Sequence, residues 1–453
     1  MRAPLALEIG LARAAAGLSR LAGTGGGTTL PGKLLLRMEP DAIGRLAGRL
    51  TSTTVISATN GKTTTAKMAA AVLEADGRRL CRNAGGANLT SGVASALLAA
   101  GRDEEGLFEV DEAALPAVVD ALRPGQLVLG NLFRDQLDRY GELELIGDRW
   151  RSMVSAPGFG ATVIHNVDDP LVASIGAAAP AAITFGLEDD GAARTTMQHA
   201  ADSKWCPRCG TRLVYEAVYL GHLGRWRCPA CRLERPRPEV RATAVRADGL
   251  EATEFRLELP RGDVDVRLPI PGLYNVYNAL AAAAACVAHG VSPAVIGGGL
   301  ERFSAAFGRF ERITLSGRPA VLLLVKNPAG TNEVIRTLAA DARPKTLLLA
   351  LNDRIADGRD VSWIWDVDFE ELVEQVDSVV ATGTRAAEMA LRLKYAGVSP
   401  ARIAVEPQLG HALDALGGED DAPAYLLATY TAMLDLRGLL EQRGLVRPYW
   451  EAA

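Results

Sequence analysis

Long apolar runs and surplus positive charge are both missing from this sequence. No apolar stretch reaches the roughly 20 residues of a membrane-spanning helix, and the first 23 residues are interrupted by Glu8, Arg13 and Arg20, unlike the apolar core of a signal peptide. The net charge of -5 gives no bulk attraction to nucleic acid, so no nucleic-acid partner is expected. These absences favour a cytoplasmic protein. Segment 1–23 is predicted to form an amphipathic helix, which either packs on the domain or lies at the inner face of the membrane.

Internal repeats and long low-complexity linkers are also absent, yet 453 residues are too many for one ordinary domain. Strands and helices alternate from residue 51 onward, which predicts a parallel α/β sheet with helices on both faces. A cysteine-rich insertion interrupts this pattern at Lys204–Arg232, and segment 239–270 then alternates apolar and polar residues as antiparallel hairpins do. The predicted divisions are a helical lead-in, a central α/β domain that carries the insertion and a Rossmann-like C-terminal α/β domain, at residues 1–50, 51–305 and 306–453.

Cysteine is scarce, and four of the six cysteines lie in two C-x-x-C pairs, "CPRC" and "CPAC", separated by eighteen residues. This is the spacing of a zinc ribbon, in which four thiolates surround the metal as a tetrahedron. Four thiolates leave no open position for water, so Zn²⁺ would be structural and would fold an insertion that lacks its own core. Nucleic-acid contact through the basic residues nearby and a redox dithiol are the alternatives. The predicted ligands are Cys206, Cys209, Cys228 and Cys231.

A candidate nucleotide loop lies in "VISATNGKTTT", between a predicted strand and a predicted helix. Gly61 lets backbone N–H groups close on phosphates, Lys62 can reach the terminal phosphates, and the hydroxyl of Thr63 can bind Mg²⁺. The strict G-x-x-x-x-G-K pattern fails because Ile56 stands where the first glycine belongs. An ordinary capped helix is therefore the alternative. The predicted phosphate-binding residues are Thr59, Asn60, Gly61, Lys62, Thr63 and Thr64.

Several motifs together resemble the Mur ligase family across most of residues 51–330. "TNGKTTT" resembles the phosphate loop of the family, and "HNVDDP" resembles its N-x-D-D-P motif. "FEVDE" resembles its metal-binding strand end, which implies that Glu109 binds Mg²⁺ together with Thr63. "GLYNVYNALAA" contains the asparagines of the adenine side, Asn275 and Asn278, and "GRFE" resembles the motif that opens the third domain, with Arg309 as a nucleotide-binding residue.

The sequence departs from that family at three places. Ala58 replaces a glycine of the loop, and in "LLVKNPAG" Lys326 stands where the family usually has histidine. Lys326 is a candidate phosphate-binding residue, with pairing to an acid as the alternative. Only about fifty residues precede the phosphate loop, too few for the UDP-binding N-terminal domain of the family. That domain is therefore expected to be absent, together with a substrate held by a UDP group.

A Mur-like ATPase core with a four-cysteine ribbon resembles, more closely, the MurT family of ligase subunits. The C-terminal segments "KNPAG", "NDRIADGRDVSWIWD" and "TGTRAAE" fit that family. The resemblance implies ATP-dependent amidation of the D-glutamate α-carboxyl in lipid II through an acyl phosphate, with ammonia from a GatD-type glutaminase in a heterodimer. Cys81 in "RLCRNAG" and Cys286 in an alanine-rich helix do not fit the tight strand-to-helix turn of a glutaminase nucleophile, so ammonia must be free or come from another chain. A stand-alone amino-acid ligase of the folylpolyglutamate or cyanophycin type is the main alternative; a zinc-ribbon regulatory ATPase is a third.

The acidic segment "NDRIADGRDVSWIWD" at 352–366 follows a predicted buried strand. A Cys–His glutaminase commonly uses an acid to orient its histidine, and the resemblance implies that this chain supplies that acid across the interface. The matching residue is Asp360, after Gly358, which allows a sharp turn. Asp353 and Asp357 are candidates to cap the loop, and the alternative is that all its acids are solvated or cap the local backbone.

Overall fold

The structure, a computed structural model, describes residues 29–83, 86–101, 104–134, 143–194, 197–198, 201–303, 309–315, 317–416 and 422–446. Two predicted features lie outside these residues: the amphipathic helix at 1–23 and Gly308 of the "GRFE" motif. Arg309 begins a strand, but its side chain lies outside the description as well, so its predicted role stays a prediction.

A nine-stranded sheet forms the first part of the described chain. Its strands are β1 (Ser52–Ser57), β2 (Leu80–Arg82), β3 (Glu105–Glu109), β4 (Gln126–Leu129), β5 (Thr162–Asn166), β6 (Ala182–Leu187), β9 (Val240–Asp248), β10 (Ala252–Leu259) and β11 (Gly262–Leu268). In the order β2-β3-β1-β4-β5-β6-β9 the strands run parallel, and β10 and β11 continue the sheet as antiparallel strands. The predicted α/β alternation and the antiparallel hairpins after the insertion are therefore both confirmed.

Helices cover both faces of this sheet because its strands are apolar on both sides. In β1 the neighbours Val55 and Ile56 point to opposite faces and each is buried in a different core cluster. One cluster is built around Trp150 and Phe108, and the other around an alanine-rich helix that ends at Ala288. The helices are α1 (Leu30–Met38), α2 (Ala42–Ala47), α3 (Lys62–Ala75), α4 (Thr90–Ala99), α5 (Leu115–Leu122), α6 (Leu143–Val154), α7 (Pro170–Gly176), α8 (Leu273–Ala288) and α9 (Pro293–Glu301).

The cysteine-rich insertion contains a separate antiparallel hairpin, β7 (Val214–Leu220) and β8 (Leu223–Arg227), between β6 and β9. Gly221 turns the chain between the two strands with a φ of 57°, a conformation that favours glycine. The small core beside the cysteines consists of Ala173, Cys206, Leu213, Trp226 and Cys228.

A six-stranded sheet forms the C-terminal part, in the order β12-β13-β17-β14-β15-β16. Its first pair is antiparallel and the rest is parallel. Buried clusters cover both of its faces, so the predicted second α/β unit is confirmed. The elements are β12 (Arg309–Leu315), β13 (Arg318–Leu324), α10 (Pro328–Ala339), β14 (Lys345–Ala350), β15 (Val376–Thr382), α11 (Ala386–Ala396), β16 (Ile403–Val405), α12 (Leu409–Ala415), β17 (Ala424–Ala428) and α13 (Tyr430–Gln442).

The parallel register places the candidate site at one edge of the first sheet. Ile56 near the end of β1 pairs with Glu109 at the end of β3 and with Val128 in β4. The carboxyl ends of parallel strands meet at one edge, where open α/β sheets bind ligands.

Among the described helices, none combines the length and the hydrophobicity needed to cross a bilayer.

Candidate functional site

The nucleotide loop is closed tightly against helix α8. Gly61 precedes α3 with a φ of 93°, and a Cβ added there would lie 1.9 Å from the side-chain oxygen of Asn278. That asparagine accepts a hydrogen bond from the Thr65 hydroxyl (3.3 Å) and donates one to Asn275 (3.2 Å). The structure therefore places Asn278 against the loop and Asn275 behind it, and only glycine fits at position 61.

Asn131, which sequence reasoning missed, holds the other side of the loop. Its side chain accepts from the backbone N–H of Asn60 (2.9 Å) and donates to the backbone carbonyl of the same residue (3.0 Å). Thr59 accepts from the backbone N–H of Phe133 at 3.1 Å. The signal that could have located Asn131 is its place two residues after β4, the strand that lies beside β1.

The loop lysine forms a buried ion pair with an acid that the sequence prediction also missed. Lys62 Nζ lies 2.6 Å from a carboxylate oxygen of Glu112 and donates to the carbonyl of Ala58 at 2.5 Å. Burial opposes ionisation of Glu112, but the positive charges of Lys62 and Lys326 hold its pKa below the usual value. Trp150 fixes the backbone of Glu112 through a 3.0 Å hydrogen bond to its carbonyl. Glu112 is thus an ionised group between two cations.

The predicted Mg²⁺ ligands lie on adjoining elements. Thr63 is in the first turn of α3, and Glu109 is buried at the end of β3, where its carboxylate accepts from the backbone N–H of Gly86 at 3.1 Å. Within the described contacts the buried hydroxyl of Thr64 has no hydrogen-bond partner. A carboxylate and hydroxyl oxygens are hard donors, so the residues fit Mg²⁺.

The C-terminal unit touches the nucleotide loop directly. Lys326 Nζ donates to the carbonyl of Thr59 at 3.2 Å. The side chain of Asn327 donates to that of Asn60 at 3.0 Å and accepts from it at 3.4 Å. Asn327 also caps α10 by accepting from the backbone N–H of Gly330. The sequence predicted Lys326 as a candidate, whereas Asn327 was missed.

A cleft opens beside these contacts, between the two units. Phe310 lines it from a bulge in β12 with a φ of 61°, a strained conformation for an aromatic residue. The cleft is apolar apart from a few polar groups, as nucleotide pockets are. Its lining includes Asn60, Gly61, Asn131, Leu220, Leu223, Tyr274, Tyr277, Asn278, Lys326 and Glu333.

The acids of the "HNVDDP" motif are fully buried and structural. Asp168 accepts from the Tyr277 hydroxyl at 2.6 Å and forms an ion pair with Arg235 at 2.6 Å, which raises the pKa of that guanidinium against its burial. Asp169 caps α7 and accepts from the backbone N–H of Leu132 at 2.9 Å. This motif therefore joins α8, α7 and the strand ends that carry the loop.

The four predicted cysteine ligands come together with their sulfur atoms within 4.8 Å of one another. Cys206 and Cys231 are 3.6 Å apart, and Cys209 and Cys228 are 3.5 Å apart. Hydrogen bonding to Thr211 lowers the pKa of the exposed Cys209 thiol to about 6. This cluster has the donor set and spacing that fit a tetrahedral metal ion. The other two cysteines are buried, and burial raises the pKa of Cys81 to about 12.

The acidic segment divides into inward and outward carboxylates. Asp357 is buried and accepts from the backbone N–H of Thr431 at 2.7 Å, and Asp353 pairs with Arg385 at 2.8 Å. Asp360 is exposed, where it accepts from the backbone N–H of Ser362 at 2.8 Å, and hydrogen bonding to that serine holds its pKa below the usual value.

The acidic segment also carries an exposed aromatic ring, Trp365, which contacts helix α11. Trp365 is 50% exposed and packs edge-on against Tyr395 at a centroid distance of 5.8 Å. Arg392 stacks against Trp365 and donates to the backbone carbonyls of Ile364 and Val367. The buried guanidinium of Arg392 therefore stabilises the backbone of this segment.

Comparison with known proteins identifies two matching domains. The MurT ligase C-terminal domain matches residues 324–433, and the Mur ligase middle domain matches residues 56–207. The chain is 34% identical over 439 residues to the lipid II isoglutaminyl synthase (glutamine-hydrolyzing) subunit MurT of Streptococcus pneumoniae, covering 95% of each chain. It is 32% identical to the subunit of the same name from Staphylococcus aureus strain N315, covering 86% of this chain and 87% of that one.

Solved structures agree on the fold. A pseudomurein peptide ligase type C from Methanothermus fervidus superposes with a TM-score of 0.67 at 22% identity, covering 86% of this chain and 78% of that one. The phosphate loop and the two α/β units thus define a ligase of the Mur type, a class that uses ATP and Mg²⁺. Within that class the chain belongs to the MurT family. The predicted resemblance is therefore confirmed.

Proposed function

We propose that this chain is the ligase subunit of a lipid II isoglutaminyl synthase. It amidates the α-carboxyl group of D-glutamate in the stem peptide of lipid II to give D-isoglutamine. The observation that carries this proposal is the meeting of both units at the nucleotide loop, where Lys326 Nζ lies 3.2 Å from the carbonyl of Thr59. The full-length similarity to subunits of that name supports the same assignment.

The proposed chemistry begins with activation of the substrate carboxylate, because the anion is a poor electrophile. Its oxygen attacks the γ-phosphorus of ATP, ADP leaves, and the resulting acyl phosphate is attacked by ammonia, which displaces phosphate. Backbone N–H groups at Gly61 and the cations of Lys62 and Lys326 stabilise the charge that develops on the phosphoryl oxygens. Mg²⁺, held by Thr63 and Glu109, would neutralise the phosphates. Further nucleotide contacts are assigned to Thr59, Asn60, Thr64, Asn275, Asn278 and Arg309.

Ammonia in this proposal comes from a GatD-type glutaminase subunit bound as a heterodimer. Cys81 and Cys286 are poor nucleophiles because both are buried and burial raises the pKa of each thiol. Asp360 is exposed and its pKa is lowered, so it remains a carboxylate able to orient a histidine of a partner. Asp360 is thus proposed to complete the active site of the glutaminase.

The metal in the cysteine cluster is proposed to be structural Zn²⁺. Cys206, Cys209, Cys228 and Cys231 supply a complete set of four sulfur ligands, which leaves no coordination position for catalysis. Its binding would then contribute to the folding of the insertion.

One reconstitution tests this function. Purified chain, ATP, Mg²⁺ and lipid II are incubated first with ammonium and then with glutamine plus the candidate glutaminase. Mass spectrometry of the stem peptide is expected to show amidation in both cases, with ADP formed in equal amount. Lys62→Met is expected to abolish both reactions. Ligation of added amino acids without amidation by ammonium would instead establish the stand-alone amino-acid ligase.

A further inference from the structure

The tip of the cysteine-bound hairpin forms part of the wall of the cleft. Leu220 ends β7 and Leu223 begins β8, and both line the cleft together with Gly61 and Asn278. Leu220 is 5% exposed and Leu223 is 1% exposed, and both belong to the core cluster that includes Tyr277. The insertion is thus in contact with the interior of the first unit and is not a module at the periphery.

The cysteine cluster lies at the other end of the same hairpin. Cys228 follows β8 directly, so four residues separate it from Leu223. Leu223 pairs with Leu220 and Arg227 pairs with Val214, which makes β7 and β8 one paired ribbon between the cluster and the cleft. The position of the tip therefore depends on the position of the cysteines.

The hairpin is seated on the "VDDP" turn through buried polar contacts. The indole N–H of Trp226 donates to the carbonyl of Val167 at 3.1 Å. The backbone N–H of Gly224 donates to the backbone carbonyl of Asp168 at 3.0 Å. His222 at the tip is fully buried and lies 3.2 Å from a carboxylate oxygen of Asp169. Because unsatisfied buried polar groups are costly, these contacts define where the folded hairpin is seated.

The same hairpin also supports the C-terminal unit. Arg336 on α10 donates to the carbonyl of Tyr219 at 2.7 Å and to that of Ala192 at 3.2 Å. Helix α10 begins after Asn327, whose side chain contacts Asn60 of the nucleotide loop. The hairpin thus contacts α10 near its last turn, while the residue that caps α10 contacts the loop.

We infer that the four-cysteine cluster sets the affinity of this chain for nucleotide, by holding Leu220 and Leu223 in the cleft wall and Tyr219 against Arg336. Apart from Cys206 and Cys228 themselves, the buried cluster at this end consists of Ala173, Leu213 and Trp226, which are too few to fix this end of the insertion without a crosslink. When the metal is lost, the hairpin loses its fixed end and the cleft loses one wall. This inference rests on the proposed binding of ATP, and it assigns the cluster a role in that site.

The first test measures ATP and ADP affinity by calorimetry before and after metal is removed with a chelator, with Cys209→Ser as the genetic equivalent. Metal content is measured by colorimetric titration, and far-UV circular dichroism and thermal unfolding report on the α/β core. We expect nucleotide affinity to fall at least tenfold while the circular dichroism signal of the core persists. Unchanged affinity in a metal-free, folded chain would overturn the inference.

The second test leaves the cysteines intact, so that it remains decisive even if metal-free chain unfolds. Leu223→Ser alters the tip, Arg336→Met removes the contact with Tyr219, and Val214→Ser is the matched control because Val214 is an exposed residue at the far end of β7. All three variants are expected to retain one metal per chain. The first two should bind ATP several-fold more weakly than the control. Equal affinity of all three would overturn the inference, whereas unaltered chain that fails to bind ATP would overturn the proposed function instead.

Discussion

Lys62 and Glu112 form a buried ion pair at the centre of the candidate site, with 2.6 Å between ammonium and carboxylate. The two residues lie fifty positions apart in the chain. Lys326 of the C-terminal unit adds a second positive charge near the same carboxylate and contributes to its lowered pKa. Glu112 therefore orients the loop lysine and balances the charge of two cations that the proposed reaction needs.

Replacing Glu112 with glutamine should impair turnover strongly. Breaking a buried ion pair from one side leaves an uncompensated charge and costs about 3–5 kcal/mol. Glu112→Gln is thus expected to lower the thermal midpoint and to reduce ammonium-dependent ATP hydrolysis at least tenfold, whereas Glu112→Asp should keep part of the rate. Asp120→Asn, at an exposed residue of α5, is the control. A glutamine variant with the rate of that control would show that the pair is dispensable.

Gly61→Ala should abolish nucleotide binding with little effect on the rest of the fold. The left-handed backbone costs a residue with a Cβ about 1–2 kcal/mol, and the new methyl group would displace Asn278, since only 1.9 Å separates them. Calorimetric titration with ADP measures the effect. Gly77→Ala serves as the control for strain alone, because Gly77 has a φ of 83° but no atom within 4 Å of the added Cβ. Retained affinity in the Gly61 variant would argue against the closed loop.

His165 should make the protein less stable as the pH falls below about 6.5. Burial lowers its pKa from 6.5 to about 4, so between these values the unfolded chain binds a proton that the folded chain does not. By linkage this costs about 2 kcal/mol between pH 7 and pH 5. Urea unfolding at both pH values should therefore show a smaller loss for His165→Leu than for the unaltered chain. His411→Leu, at an exposed position, should leave the loss unchanged; the same loss in both variants would contradict this assignment.

Asp360→Asn should impair amidation that uses glutamine but not amidation that uses ammonium. The substitution removes the carboxylate proposed to orient the histidine of the glutaminase, so glutamine-dependent amidation is expected to fall at least a hundredfold while ammonium-dependent amidation is retained. Both rates are measured with the heterodimer, and Asp377→Asn, at an exposed residue of β15, is the control. Equal loss of both activities would remove Asp360 from this role.

The local features of the fold were predictable because each is encoded in a short stretch of sequence. Alternating strands and helices, the turn at Gly61 and the paired cysteines depend on neighbours in the chain. Asn131 and Asn327 could not be assigned in this way, because each reaches the loop only through the order of strands or the packing of two units. Glu112 lies inside the motif "FEVDE", but its ion pair with Lys62 depends on the packing of α3 beside β3, which no short stretch of sequence encodes.

The contact of the hairpin with α10 is a further relationship that no local pattern indicates. Arg336 donates to the backbone carbonyl of Tyr219, 117 positions earlier, and nothing in the sequence around either residue links the two. The role proposed for Asp360 depends on a partner chain, so it stays a prediction.

The hydrogen-bonded side-chain amides of Asn60 and Asn327 have a consequence for chimeras that combine units from two homologous chains. Each side chain both donates to and accepts from the other, so the two units carry complementary halves of one recognition element. A chimera that takes its C-terminal unit from a homologue would keep this match only if an amide stands at the position of Asn327. Asn60 and Asn327 are therefore expected to be exchanged as a matched pair, together with the other contacts between the units, such as Lys326 with Thr59 and Arg336 with Tyr219.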